Sequence, residues 1–296
     1  HIVVGAGTAG CLLAARLAER DPRHRVLLLE GGGSDRGRLR YRVPCGYLAC
    51  IQNPRADWMY RTEDEPGLNG RSLAYPRGKT LGGCSSINGM LFLRGQREDW
   101  DGWASTLADA AWGWSSVLPL SKRHERHWKG DSPLHGGRGE LHVQQQRLQW
   151  PVLDALREGA ARALGVPLVD DFNTGSNEGV GYFEVTQRAG RRWSAADAFL
   201  FTPPPPSDPN ESQVRQYLRE AAWLARRGGR PAYDNLTVVP GCIVDRLAFD
   251  GARCTGVYAR HAGMPTTEGD QLPGAAAPPP TFALDDNPHA TVILAA

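Results

Sequence analysis

Residues 5 to 10 read Gly-Ala-Gly-Thr-Ala-Gly and stand directly between an apolar run, Ile2-Val3-Val4, and a stretch with helical spacing. Glycines in the order GxGxxG at a strand-to-helix junction restrict the fold severely. Gly5 permits a tight turn, Gly7 lets backbone reach a pyrophosphate, and Gly10 lets the helix pack close to the strand, while the helix N-terminus stabilises negative charge. The helix is predicted over about residues 9 to 20, with Leu13, Leu17 and smaller alanines inward, and Asp21-Pro22 ends it. A second strand follows over residues 25 to 30. Glu30 closes that strand twenty residues after Gly10, where its carboxylate can accept from a ribose hydroxyl. A strand, helix and strand with an acid in register read as a dinucleotide site. The carboxylate of Glu30 would repel a 2′-phosphate, which disfavours NADP and leaves FAD and NAD both open.

Composition narrows the partners. The chain has 296 residues, 34 basic against 32 acidic, for a net charge of +2. That balance points away from nucleic acid and anionic membranes. No apolar run is long enough to cross a bilayer. Six cysteines, at 11, 45, 50, 84, 242 and 254, form no CxxC pair and have no histidine at zinc spacing, so no metal site is expected and they read as reduced thiols. Reduced thiols favour a cytoplasmic or mitochondrial setting over a secreted one.

Along the chain, residues 31 to 76 are rich in turn signals and show no long helical period. Trp100, Trp103, Trp112 and Trp114 cluster, as at a core or domain seam. Residues 141 to 143 and 181 to 187 alternate like strands, and 150 to 164 have helical spacing with Leu153, Leu156, Ala160 and Leu164 on one face. Residues 202 to 212 and 273 to 280 are proline-rich and read as exposed inserts. Residues 235 to 239, 243 to 249 and 256 to 260 form a three-strand meander pattern.

A second glycine-rich run, RGKTLGGCSSINGMLFLRG at 77 to 95, is too small-residued for core. Continued by REDWD at 97 to 101, it resembles the first signature of the glucose-methanol-choline (GMC) flavin oxidoreductases, and most of all their choline dehydrogenase-like members. VVGAGTAG (3 to 10), LLLEGG (27 to 32), the run from Asn53 to Gly78, DDFNTGSNEGVGYFEVTQRAGRRWSAADAFL (170 to 200), the run from Asn235 to Val257 and VILAA (292 to 296) are similar to the same family.

The resemblance implies FAD. It implies a cofactor site of Gly5, Ala6, Gly7, Thr8, Ala9, Gly10, Glu30, Gly31, Gly82, Gly83, Cys84, Asn88, Gly89, Met90 and Leu91, with Val244 on the adenine side. Consecutive glycines and serines leave N–H groups to donate to flavin carbonyls or phosphates, and Asn88 can both donate and accept. Cys84 stands where the family commonly has Ser, Thr or Gly. Some members bind flavin covalently through a histidine just before this asparagine; Ile87 is there instead, so a dissociable FAD is expected. The implied fold is α/β. A Rossmann-like FAD-binding domain with an antiparallel meander takes residues 1–110 and 190–296, and part of an α+β substrate domain takes 111–189.

The family removes the proton of an alcohol with a histidine base while hydride leaves for flavin N5, and a second histidine or an asparagine holds the oxygen. That pair follows a GSPxLLxxSGIG-like signature, and neither is present in these residues. No catalytic residue is therefore assigned. His124 and His127 are expected on a solvated face, and His135 and His142 near glycine turns, without partners. The chain starts and stops in strand-like runs, as expected of the amino-terminal portion of a longer enzyme. The implied function is alcohol oxidation at CH–OH, with a small alcohol as substrate and the electron acceptor open. The alternatives are a non-catalytic flavin-binding remnant, or an FAD-dependent hydroxynitrile lyase of the same fold.

Overall fold

The chain folds as two units, His1–Asn88 with Ser194–Ala296, and Gly89–Trp193. The computed structural model describes residues 1–201, 231–261, 281–284 and 290–295. The proline-rich stretches at 202 to 212 and 273 to 280 lie outside them.

In the first unit, Ile2–Val4, Val26–Glu30, Leu236–Pro240 and Val292–Leu294 form one parallel sheet. Its order places Leu236–Pro240 beside Val26–Glu30, then Ile2–Val4, then Val292–Leu294. Val3 and Leu28 are wholly buried, as the near-continuous apolar runs of a parallel sheet require. Helix Thr8–Arg20 connects the two amino-terminal strands. Its buried face is Gly10, Cys11, Ala14, Ala15 and Ala18, whereas Leu13 and Leu17, expected inward, are only half-buried. Small side chains bring the helix axis close to the strands and leave no depth for leucine. Asn235 Nδ2 donates to the carbonyls of Ala18, Asp21 and His24 at 3.0, 3.3 and 2.8 Å, satisfying acceptors at the helix end.

The expected meander is corrected in membership. Leu236–Pro240 pairs in parallel with Val26–Glu30 at the edge of the four-stranded sheet, where Leu236 is buried and Val239 packs against the core. The antiparallel sheet is Cys242–Asp250, Arg253–His261 and Phe282–Ala283. Its inner face contributes Cys242 and Val257 to a core cluster with Ile2 and Leu29.

The second unit has helices Arg97–Leu107, Trp114–His124 and Pro151–Leu164. Its sheet pairs Glu125–His127 in parallel with Leu141–Gln145, which pairs antiparallel with Glu184–Val185. One expectation fails here in part, that the clustered tryptophans are core. Of the tryptophans, Trp114 is buried at 3%, but Trp103 and Trp112 are 57% and 47% exposed, their rings 6.4 Å apart against each other. On Pro151–Leu164 the only buried residue is Ala161; Leu153, Leu156 and Leu164 lie open. Helical period places apolar residues on one side, but only a packed neighbour buries that side.

Candidate functional site

The glycine loop ends in a helix whose first turn carries no acidic residue and no side-chain cap. Thr8 and Ala9 are exposed there. Helix N-termini of this kind attract anions through unpaired N–H groups and the helix dipole. Behind them Glu30 is buried at 6%. Its Oε2 accepts from Ala6 N at 2.9 Å and its Oε1 from Gly32 N at 2.7 Å. Burial pushes the Glu30 carboxyl up, while the amides of Gly32 and Ala6 oppose that shift. Each oxygen keeps a second acceptor site for a hydroxyl.

The segment that the sequence singled out packs onto this loop. Gly82 N donates to Ala6 O at 2.8 Å, and Leu81 N to Gly33 O at 3.1 Å. Thr80 Oγ1 also donates to Gly33 O, at 3.0 Å. Gly83, at φ +51°, lies so close that an added Cβ would be 2.7 Å from the Cα of Gly7. Glycine is required at that approach. Three separate stretches, residues 5 to 10, 30 to 33 and 80 to 83, thus meet within one unit.

The same unit holds a buried ionic knot that the sequence does not announce. Asp197 pairs with Arg42, and Arg42 Nη2 reaches Asp35 at 3.2 Å. Arg36 stacks 3.5 Å over the Phe201 ring. Asp197 Oδ2 accepts from Ser194 Oγ at 2.9 Å, and Ala195 N donates to Ser85 Oγ at 2.9 Å. This chain of contacts ties the buried 194–197 corner to the 82–86 turn. Burial and the nearby Asp197 carboxylate push Asp35 up to about 6. Arg42 and Arg36 outweigh burial at Asp197 and hold it below the usual carboxylate range.

Other expected site residues are distributed as follows. Gly31 faces Trp58 and Ile243, each 3.1 to 3.2 Å from where its Cβ would be. Cys84 is half-buried with Sγ 3.5 Å from Gly78 N. Asn88 is exposed and ends the first part of the first unit. Val244 packs against the antiparallel-sheet core. Gly89, Met90 and Leu91 open the second unit. Met90 is buried at φ +66°, its carbonyl accepting from Thr186 N at 2.8 Å. Leu91 bridges Val185 and stays exposed.

The second unit overturns the reading of the histidines. Helix Trp114–His124 stops before Glu125, and strand Glu125–His127 turns inward. His127 is therefore buried, with Nε2 on Glu184 Oε1 at 2.7 Å. His135 is also buried, with Nδ1 on Glu125 Oε1 at 2.9 Å and Nε2 on Asp171 Oδ2 at 2.8 Å. The rings stack at 3.8 Å. Burial lowers the His135 pKa, but bonds to Asp171 and Glu125 more than offset it and raise it to about 9. The partners lie 10 to 57 residues apart, beyond any spacing rule. The charges around His127 were the misleading signal: Glu125, read as surface, is the network's buried centre.

Comparison with known proteins places these features together. Residues 1–205 match the family described as GMC oxidoreductase. The mitochondrial choline dehydrogenase of Mus musculus is 40% identical over 262 residues, covering 86% of this chain and 39% of that protein. Among solved structures, pyridoxine 4-oxidase from Mesorbium loti superposes with a TM-score of 0.73 at 32% identity, covering 88% of this chain and 46% of the other. An FAD-dependent oxidoreductase from Chaetomium thermophilum gives 0.70 at 25% identity, covering 90% and 42%. The chain spans about two fifths of the length of the curated relatives it matches. No helix among the described residues is long and apolar enough to cross a membrane.

Proposed function

The chain belongs to the GMC oxidoreductase family, and from that premise we propose that it forms the FAD-binding part of an oxidoreductase acting on the CH–OH group of a small alcohol. The carrying observation is the seating of the 80–83 segment on the glycine loop beside Glu30. The start of helix Thr8–Arg20 receives the pyrophosphate, Glu30 accepts from the ribose, and Cys84, Asn88, Gly89, Met90 and Leu91 line the flavin, with Val244 on the adenine side. Bound FAD would supply the hydride acceptor; the protein supplies position. Likeness to the FAD-dependent oxidoreductase of Chaetomium thermophilum supports FAD over NAD. With Ile87 before Asn88, the flavin is held without a covalent bond. None of the six cysteines is paired in a disulfide, which supports a reducing cytoplasmic or mitochondrial setting.

The test is titration of the purified chain with FAD and, separately, NAD. Saturable binding of FAD with quenched flavin fluorescence, and release of yellow flavin on acid denaturation, are expected. Tighter binding of NAD would reverse the assignment.

A second reading is a flavin holder without turnover. It draws on the commitment of His127 and His135 to carboxylates inside the second unit. Anaerobic addition of alcohols to the FAD-loaded chain separates the two: bleaching of the flavin supports oxidation, and a persistent yellow colour supports the holder.

A further inference from the structure

We propose that the second unit binds one divalent transition-metal ion through His135 Nε2, Asp171 and Glu184. Nothing in this site depends on the flavin. One ligand atom from each of these residues lies within 4.8 Å of the other two. Metal–nitrogen and metal–oxygen bonds of about 2.0–2.2 Å need ligand atoms about 3–4 Å apart, so a small contraction around an ion closes the site.

The outer contacts already hold the three ligands by their other atoms. His135 Nδ1 is on Glu125 Oε1 at 2.9 Å, and Glu125 Oε2 is held by Arg94 Nη2 at 2.9 Å and Gly136 N at 3.0 Å. Asp171 Oδ1 accepts from Asn173 N at 2.7 Å, which leaves Oδ2 toward His135. Glu184 Oε1 accepts from Trp128 Nε1 at 2.8 Å and bonds His127 Nε2 at 2.7 Å. A carboxylate behind a ligating histidine and tethered distal oxygens on ligating carboxylates are the outer-sphere pattern of metal sites.

A second observation points to a missing ligand. Glu184 is 4% exposed, yet its Oε2 is buried with no hydrogen-bond partner. A buried carboxylate oxygen left bare is costly, and a cation would satisfy it. The charges agree. With His135 neutral once it ligates the ion, Glu125, Asp171 and Glu184 contribute three carboxylates against the one guanidinium of Arg94, and a dication balances the remaining two charges. The proton now between His135 Nε2 and Asp171 Oδ2 leaves to solvent as the ion takes its place. One imidazole and two carboxylates suit Zn²⁺ or Mn²⁺ better than Ca²⁺, which takes oxygen alone.

The test uses the whole chain, stripped with chelator and titrated with Zn²⁺ and Mn²⁺ by calorimetry, with bound metal counted after desalting. One equivalent per chain and a rise in the melting midpoint of about 5 °C or more are expected. Glu184→Gln keeps shape and the contact partners on one side of the group, so it should fold with an unchanged far-ultraviolet spectrum and lose the bound equivalent. His135→Ala should lose it too; if that variant fails to fold, Glu184→Gln and the metal count decide. No bound equivalent in the wild-type chain, or equal binding by folded Glu184→Gln, would overturn the site.

Discussion

A Cβ on Gly83 would stand 2.7 Å from the Cα of Gly7. Two glycines 76 positions apart are therefore in backbone contact, and the second signature stretch is physically part of the first. Gly83→Ala must separate them, because the obstructing atom is backbone and cannot rotate away. Alanine also carries the cost of φ +51°. Together these should destabilise the chain by about 2 kcal/mol or more and weaken FAD binding at least tenfold. Urea unfolding and flavin titration measure both; wild-type affinity in the variant would detach the 82–86 turn from the cofactor.

Glu30 receives one backbone N–H on each oxygen. Glu30→Gln removes the buried charge, which eases desolvation, but it turns an NH₂ toward an amide that needs an acceptor. The second effect should win, because an unsatisfied buried N–H costs about 1–3 kcal/mol. The expected result is a lower melting midpoint and FAD affinity reduced by about tenfold. Unchanged affinity would mean that the carboxylate serves only to hold the glycine loop.

Asp197 is the counter-ion for Arg42 and accepts from Ser194. Asp197→Ala leaves Arg42 with Asp35 alone and Ser194 without its acceptor, and should cost about 3 kcal/mol. Asp197→Asn retains a side-chain oxygen for Ser194 and should cost less. Adding Arg42→Met to Asp197→Ala should recover part of the loss, since the second change removes the stranded charge. Simple additivity of the two single changes in urea midpoints would argue against the pair acting as a unit.

The parts legible in sequence were those where spacing is the chemistry. Gly5, Gly7, Gly10 and Glu30 lie on consecutive elements, and the strand–helix–strand register alone places them. Leu236–Pro240 was legible as a strand but not as a member of the parallel sheet, because alternation carries no information on partner choice. The network of Arg94, Glu125, His127, His135, Asp171 and Glu184 was illegible for another reason. Each residue looks solvated beside its neighbours, and only the fold brings in partners from as far as 57 positions away to neutralise it. The same holds for Trp103 and Trp112, whose composition suggested core and whose surroundings leave them open.

His142 supplies a pH dependence. Burial first, then the positive charges of Arg188 and Arg126, push its imidazole down to about 2, and its ring meets Trp193 edge-on at 5.2 Å. The unfolded chain takes up this proton near the ordinary histidine value of about 6.5, whereas the folded chain resists it. The unfolded state thus binds more protons between those values. Stability from this group is full above about pH 6.5 and falls as the medium becomes more acidic, by up to about 1.4 kcal/mol per pH unit. His142→Phe keeps an aromatic edge against Trp193 and has nothing to protonate. Between pH 6.5 and 5, before carboxylates dominate, its unfolding free energy should fall less steeply than that of the wild type, by one proton's slope. Parallel curves for the two proteins would show that His142 becomes charged in the folded state.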